Sequence, residues 1–313
     1  MEMNTNLQSV LVTGVAGFIG RYIARHFSEQ GWSVIGIGDS PPENAPLHNL
    51  TAYHRVRLPD PSFNKLLKEY SPNVCIHCAG RASVGLSVID PDIDFQSNAA
   101  LTFDVLNALR IDAPKCRFIF LSSAAVYGNP ELLPIEESQT CNPISPYGFH
   151  KLQSEQLCLE FSKIYDLSTA SVRIFSAYGP GLRRQVLWDI CRQAIYQPIV
   201  KLQGSGQESR DFIHALDIAK SVMAVATSAS MQGETYNLAS GREVTVSALA
   251  NMVFKSLDYK GSVEFDGIVP LGIPLNWQAD VTKLGNLGIT DFLSLERGIH
   301  VYANWCYAEL LGI

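Results

Sequence analysis

A short apolar run, Val10-Leu11-Val12-Thr13, leads directly into Gly14-Val15-Ala16-Gly17-Phe18-Ile19-Gly20. Three glycines at this spacing, between a strand pattern and a helix pattern, suit few backbone turns. Gly14 permits a tight turn, Gly17 lets the backbone approach a pyrophosphate, and Gly20 lets the helix pack closely on the sheet. The first helical turn then offers unpaired N–H groups and a partial positive charge to phosphates. Gly14, Ala16, Gly17, Phe18, Ile19 and Gly20 are therefore read as a dinucleotide cradle.

The chain beyond Gly20 has the pattern of a sheet that can carry such a cradle. Apolar runs at 33–37, 53–58, 74–78, 117–121 and 168–175 alternate with helical patterns at 18–30, 63–69, 94–109 and 146–165. Nearly all-apolar strands alternating with helices point to a parallel sheet covered on both faces. After Tyr178-Gly179-Pro180 the pattern loosens, with helices expected at 185–196, 216–227, 246–257 and 294–310 and strands at 210–214 and 235–238. The expected fold is α/β, a Rossmann-type doubly wound parallel sheet with a smaller, mixed α/β C-terminal lobe. Residues 1–178 would form the dinucleotide-binding domain, with segments about 210–240 returning to it, and residues 179–313 mainly the substrate lobe.

Composition narrows the class. With 47% hydrophobic and 17% charged residues the chain is not a disordered one. A formal charge of −6 and the lack of any basic run argue against nucleic acid as a partner. No apolar stretch reaches the roughly 18–20 residues of a membrane span, and residues 1–9 are polar and unlike a signal peptide. Seven scattered cysteines do not make a disulfide scaffold. These features predict a reduced, cytoplasmic location.

The identity of the dinucleotide turns on the end of the second strand. Asp39, 19 residues after Gly20, is placed to bond a ribose 2′-hydroxyl, which favours NAD. Arg21 could instead meet a 2′-phosphate, so NADP stays open.

The chemistry is read from Tyr147 and Lys151. Four residues apart at the start of a helix, they share a face and can reach one point. A nearby ammonium and a bound nicotinamide cation would favour the phenolate; lowering a tyrosine from about 10 to about 7 takes roughly 4 kcal/mol. Ser123 closes the fifth strand, 24 residues before Tyr147, at the sheet edge where doubly wound folds place chemistry.

Other residues read more plainly. Cys75 and Cys78 flank His77 but point to opposite faces of a strand, so buried packing is preferred to a metal site. His150 points away from Tyr147 and reads as structural. Asn98 either bonds the cofactor loop or packs the helix. Trp188 and Trp277 fit either a sugar pocket or the core. Asp211 reads as the partner that orients Arg210.

Taken together, T-G-x-x-G-F-I-G at 13–20, I-H-C-A-G at 76–80, S-S-A-A-V-Y-G at 122–128, S-P-Y-G-x-x-K at 145–151, R-x-F-x-x-Y-G-P at 173–180 and R-D-F-I-H at 210–214 resemble the extended short-chain dehydrogenase/reductase family. The resemblance is to its nucleotide-sugar epimerase/dehydratase branch. It implies that Tyr147 is the general base and acid, that Lys151 binds the nicotinamide ribose and tunes Tyr147, and that Ser123 bonds the reacting oxygen. It implies that Asp60 holds the adenine, that Cys78, Ala79, Gly80 and Arg81 form the loop under the cofactor, and that Phe175 flanks the nicotinamide. Arg210 would grip the sugar-nucleotide diphosphate. A homodimer through the helices at 94–109 and 146–165 is implied as well.

The chain also departs from the pattern. Dehydratases of that branch carry an Asp-Glu pair where this chain has Ala124-Ala125, so 4,6-dehydration is not expected. Ser176 replaces the usual asparagine at a substrate position. The arginine usual near Pro270-Leu271-Gly272 is missing, and Arg183 and Arg184 are candidates to replace it. Gly38 fills the usual acidic slot, with Asp39 next. The leading expectation is a nucleotide-sugar epimerase working by transient oxidation at C4. The alternatives are an NAD(P)H-dependent 4-keto-sugar reductase and a non-catalytic cofactor-binding regulator.

Overall fold

The structure is a computed structural model that describes residues 8–268, 272 and 274–312. The first half runs β1 (Ser9–Thr13), α1 (Phe18–Glu29), β2 (Ser33–Gly38), β3 (Ala52–Arg55), α2 (Ser62–Tyr70), β4 (Val74–His77), α3 (Val84–Ile89) and α4 (Pro91–Phe95). It continues through α5 (Leu101–Asp112), β5 (Arg117–Ser123), α6 (Pro146–Tyr165), β6 (Thr169–Ile174) and β7 (Ser176–Tyr178). The second half runs α7 (Gln185–Tyr196), β8 (Ile199–Leu202), β9 (Ser209–His214), α8 (Ala215–Ser228), β10 (Gln232–Leu238), β11 (Glu243–Thr245), α9 (Val246–Leu257), β12 (Ser262–Phe265), α10 (Thr282–Gly285) and α11 (Leu295–Leu311).

Seven strands form one parallel sheet in the order β10-β6-β5-β4-β1-β2-β3. Alternation along the strands divides the core. Val10 and Val12 pack with Ile23, Phe27 and Val222 on the α1 and α8 face. Leu11 packs with Phe63, Leu106, Phe118 and Phe161 on the α2, α5 and α6 face. The strand order reverses between β1 and β4, which opens a crevice at the C-terminal ends of those strands. A three-stranded sheet, β11-β9-β7, and a pair, β12-β8, belong to the C-terminal half. There Tyr178, Ile190, Leu249, Ile299 and Tyr302 form a separate core. Residues 210–240 divide between the two: β9 lies in the small sheet, whereas α8 covers the large one and β10 closes its edge.

Differences from the expected elements have local causes. The third strand stops at Arg55 instead of residue 58. The helix expected over 94–109 starts at Pro91 and is interrupted by a π-helical turn, Gln96–Ala100. Side chains stabilise the widened turn: Asn98 Nδ2 donates to the Asp94 carbonyl at 3.0 Å, and Thr102 Oγ1 to the Asn98 carbonyl at 2.8 Å. The strand expected over 168–175 spans Thr169–Ile174, and a separate strand of the small sheet, Ser176–Tyr178, follows after Phe175. Among the described residues no helix is long and apolar enough to cross a membrane. Of the 269–274 segment, Gly272 and Pro274 are described and the rest lies outside the described residues.

Candidate active site

The glycine loop fits between β1 and the turn that follows β4. Gly14 has φ +64, and a Cβ there would stand 2.7 Å from the Ala79 nitrogen. At Gly20 it would stand 2.5 Å from the Gly14 carbonyl oxygen. Gly17 caps α1 without a side-chain hydrogen bond, so the N–H groups of the first turn stay open beside Ala16, Phe18 and Ile19. This is a cradle that a dinucleotide pyrophosphate fits. Gly20→Ala is expected to push the loop open and weaken NAD binding roughly tenfold or more, read by calorimetry. An affinity within about twofold of the native value would show that the loop does not hold the pyrophosphate.

The Cys78–Arg81 turn is fixed from both sides. The Cys78 and Ala79 N–H groups donate to the Thr13 carbonyl and Thr13 Oγ1, each at 3.2 Å. Asn98 Nδ2 donates to the Arg81 carbonyl at 3.1 Å. Gly80, at φ +146, lies against Asn98 Oδ1, which is buried without a partner. At the other end Asp39 is exposed just past β2, its carbonyl accepting from Arg55 Nε at 3.2 Å. Arg21 donates to the carbonyls of Ala16 and Asn44. Asp60, the residue expected at the adenine, lies just before α2. Its carboxylate accepts the Ser62 N–H at 2.8 Å at the start of α2, and the Ser62 hydroxyl and N–H together lower its pKa. It lines a 440 Å³ groove between α2 and α5 that none of Ser123, Tyr147 and Lys151 lines.

Those three residues meet at the end of β5 and the start of α6. Ser145 caps α6 by accepting the Gly148 N–H, with Pro146 in the first turn. The Tyr147 N–H donates to Ser87 Oγ at 3.1 Å, which pins the helix start to α3. Lys151 Nζ lies 5.7 Å from the Tyr147 ring centre and 4.7 Å from that of Phe120, and donates to the Leu121 carbonyl at 3.0 Å. The expected acidic phenol is not what the protein's own groups produce. Burial pushes Tyr147 up to about 12, against the lowering effects of the Ser123 hydroxyl and the Arg184 charge. Burial also draws Lys151 down to about 8. Desolvation outweighs the neighbouring charges because both groups are enclosed.

Beneath the triad runs a buried polar network. Glu155, one turn beyond Lys151, pairs with Arg173 through Arg173 Nε and Nη2 at 3.0 and 2.7 Å. Ser122 Oγ donates to the same carboxylate at 2.5 Å. Arg173 Nη1 donates to Tyr127 Oη at 2.8 Å, and Tyr127 in turn to Asn237 Oδ1 at 2.7 Å. The network ties β5, β6, α6 and β10 together below Ser123.

In the C-terminal half the candidate substrate residues separate. Arg183 is exposed, pairs with Glu309 at 2.6 Å and stacks over Trp305, both on α11. Arg184 is exposed, donates to the Ala82 carbonyl, and its charge acts on the Tyr147 phenol. Arg210 lies over Trp277, and its guanidinium donates to the carbonyls of Ser209, Pro274 and Leu275. Ser176 opens β7 and stands half-buried next to Phe175, which packs between Tyr127 and Trp277.

Some side roles are corrected. Asp211 does not orient Arg210; alternation on β9 turns it to the opposite side, where it accepts the N–H groups of Ser240, Gly241 and Ala279. Trp277 donates Nε1 to the Gly128 carbonyl at 3.0 Å, tying the C-terminal half to the loop after Ser123. Trp188 packs on Trp305, away from the triad. Cys75 is buried in the core, and His77 Nδ1 meets Thr13 Oγ1 at 2.8 Å. Sequence reading passed over Ser87, Asp94, Glu155 and Arg173. The four-residue spacing of Tyr147, Lys151 and Glu155 was a usable sign that the third lies on the same face.

A buried phenol, a hydroxyl and an amine at the C-terminal edge of a parallel sheet, beside a glycine cradle, define a nicotinamide-dependent enzyme of Rossmann type. The chain belongs to the NAD dependent epimerase/dehydratase family, whose model matches residues 10–239. It is 28% identical over 304 residues to a putative UDP-glucose 4-epimerase of Methanocaldococcus jannaschii, covering 95% of this chain and 97% of that one. Among solved structures it resembles MoeE5 in complex with UDP-glucose and NAD, with a TM-score of 0.88, 26% identity and coverage of 96% and 99%. The UDP-glucuronic acid 4-epimerase of Bacillus cereus, solved with UDP-glucuronic acid and NAD, gives 0.87, 25%, and 97% and 100%.

Proposed function

We propose that this chain is a nucleotide-sugar 4-epimerase that keeps and recycles its NAD. The observation that carries this is the Lys151 ammonium 5.7 Å from the buried Tyr147 ring, one turn along the same helix and bound to the Leu121 carbonyl of β5, the strand that ends at Ser123. The glycine cradle, the Cys78–Arg81 turn, Asn98 and Lys151 would hold NAD, which when bound takes hydride from sugar C4 and gives it back. Tyr147 Oη takes the proton of the sugar C4 hydroxyl and later returns it. Ser123 Oγ bonds the same oxygen, steadied by accepting the Ala125 N–H at 3.2 Å. Lys151 favours the phenolate by its charge. Burial of Tyr147 and Lys151 keeps water from the reacting oxygen.

The Methanocaldococcus jannaschii and Bacillus cereus relatives are named for UDP-sugars and MoeE5 was solved with UDP-glucose, which supports a UDP-sugar here. Arg210 and Arg184 are the cations we assign to that ligand. Residues 1–178 with α8 and β10 would carry NAD, and the rest of 179–313 the sugar nucleotide. Ala124 and Ala125 are buried and hold no carboxyl group, which supports epimerisation over dehydration. Seven free cysteines suit a reducing compartment such as the cytoplasm.

We also infer a homodimer. Ile89, Ile93, Phe95, Phe103, Phe149 and Ile164 are exposed along α3 to α6, and a second copy is the occupant that this apolar face fits. Sedimentation at micromolar concentration should give twice the chain mass, and a monomer there would discard the dimer.

The function is tested with NAD-loaded protein and UDP-glucose, UDP-glucuronic acid and their GDP-, dTDP- and CDP-linked counterparts. Interconversion of C4 epimers at constant 340 nm absorbance is expected. Falling absorbance with added NADH and a 4-keto sugar, without epimer formation, would instead establish the reductase reading.

A further inference from the structure

The position of Tyr147 is set from outside its own helix. α6 begins with Pro146, which has no N–H to place. The next two N–H groups, those of Tyr147 and Gly148, point out of the helix start and need acceptors. Gly148 finds one close by in the chain, Ser145 Oγ at 3.2 Å. Tyr147 finds one 60 residues away, Ser87 Oγ at 3.1 Å. Ser87 is fully buried, whereas Leu86, Val88 and Ile89 beside it are exposed, so Ser87 is the residue that the short α3 turns inward. Its hydroxyl proton goes to the Val84 carbonyl at 2.7 Å, which leaves the oxygen free to accept from Tyr147.

The other wall is the turn that follows Ser123. A Cβ at Gly148 would stand 2.6 Å from the Ala125 carbonyl oxygen, so α6 begins in close contact with that turn. Ser123 Oγ accepts the Ala125 N–H at 3.2 Å, which ties the serine to the same turn. Val84 packs with the cluster that holds Tyr147 and Ala125. The first turn of α6 therefore lies between α3 and the Ser123 turn. α3 is itself anchored at both ends: Ser83 Oγ accepts the Leu86 N–H at 3.3 Å, and Asp90 accepts the Ile93 N–H at 3.1 Å to cap α4. Further along α6, His150 Nδ1 meets Asp94 Oδ2 at 2.7 Å and holds the helix to α4. That contact fixes the helix beyond Tyr147 and leaves its first turn to Ser87.

We propose that Ser87 is a positioning residue for proton transfer: its hydroxyl fixes the Tyr147 backbone, and through it the reach of the phenol to Ser123 and to the sugar oxygen. The role of the phenol rests on the epimerase reading. Ser87 touches no reacting atom. Without it a buried N–H has no acceptor, and the helix start shifts or admits water to find one. A displacement of about 1 Å at a reacting group costs up to roughly 10²-fold in rate. The glycine cradle and Arg210 lie on other elements, so binding of cofactor and sugar nucleotide does not follow this shift.

Ser87→Ala removes the acceptor alone. It is expected to lower kcat by about tenfold or more, with the KM for the nucleotide sugar and the NAD affinity within about twofold of the native values. Ser154→Ala is the control. Ser154 is as deeply buried on α6, but its hydroxyl donates to the His150 carbonyl of its own helix at 2.8 Å. Its kcat should stay within about twofold. A second readout needs neither NAD nor sugar: hydrogen exchange in the whole protein labelled with nitrogen-15 tyrosine, the Tyr147 amide being identified by its loss in Tyr147→Phe. That amide should exchange about tenfold or more faster in Ser87→Ala, while the Tyr302 amide, in the C-terminal core, keeps its rate. A native kcat or a native Tyr147 exchange rate in folded Ser87→Ala overturns the proposal, and so does an equal fall of kcat in Ser154→Ala. Should Ser87→Ala not fold, Ser87→Cys, which keeps the shape and weakens the acceptor, takes its place with the same outcomes. Faster exchange at Tyr147 in a protein inert toward every nucleotide sugar would keep the clamp on the tyrosine and discard the function.

Discussion

Tyr147→Phe is expected to lower turnover of the nucleotide sugar by roughly 10²–10⁴-fold, the usual range for loss of a positioned acid–base group. The substitution removes one oxygen and keeps the ring. The ring is 8% exposed and packs with Ala125, Phe175 and Trp277, so the site keeps its shape. NAD affinity should change little, because the glycine cradle and the Cys78–Arg81 turn do not depend on the phenol. Calorimetry with NAD and a coupled epimer assay on the same preparation would separate the two effects. Turnover within about tenfold of the native enzyme would rule out Tyr147 as the base.

The second large effect concerns stability. Glu155→Gln leaves the Arg173 guanidinium buried beside a neutral amide. Burial works against the Arg173 charge, but its hydrogen bonds and attraction to Glu155 outweigh that and hold it protonated. Breaking one side of such a pair costs about 3–5 kcal/mol, because the remaining charge is desolvated and unpaired. Urea denaturation should show a loss of that order. Replacing both partners, Glu155→Leu with Arg173→Met, should recover a large part, since an apolar pair leaves no stranded charge. A loss below about 1 kcal/mol in Glu155→Gln would mean that water or a shifted Tyr127 satisfies the arginine. The variant also bears on function: Ser122 donates to the same carboxylate, so loosening there reaches Ser123 next to it.

The two effects show which parts of the molecule were open to sequence reading. The cofactor half was legible because its signals are local. A strand, a glycine turn and a helix stand within one stretch of chain, and only glycine tolerates the close approach at Gly14 and Gly20. The Tyr147–Lys151 spacing was legible for the same reason, since one helix sets it. Asp60 illustrates the limit. Its place after the third strand suggested a contact with adenine, but the sequence does not show that the strand ends at Arg55 or that the carboxylate accepts the Ser62 N–H at the start of α2. Arg183 and Arg184 are neighbours with nothing in the sequence to rank them. Glu309 on α11 pairs with Arg183, and the Ala82 carbonyl accepts from Arg184.

The sequence by itself determined the strand–helix alternation of the large sheet, the glycine cradle and the helical face that carries the phenol and the amine. These follow from steric limits and periodicity within a few residues. Only the tertiary structure decided how each charge is met. The Glu155–Arg173 pair, the Asp94–His150 pair and the rise of the Tyr147 pKa depend on burial and on partners brought from other elements. Desolvation has no signature in a linear chain, because a side chain loses its water only when the rest of the molecule closes around it.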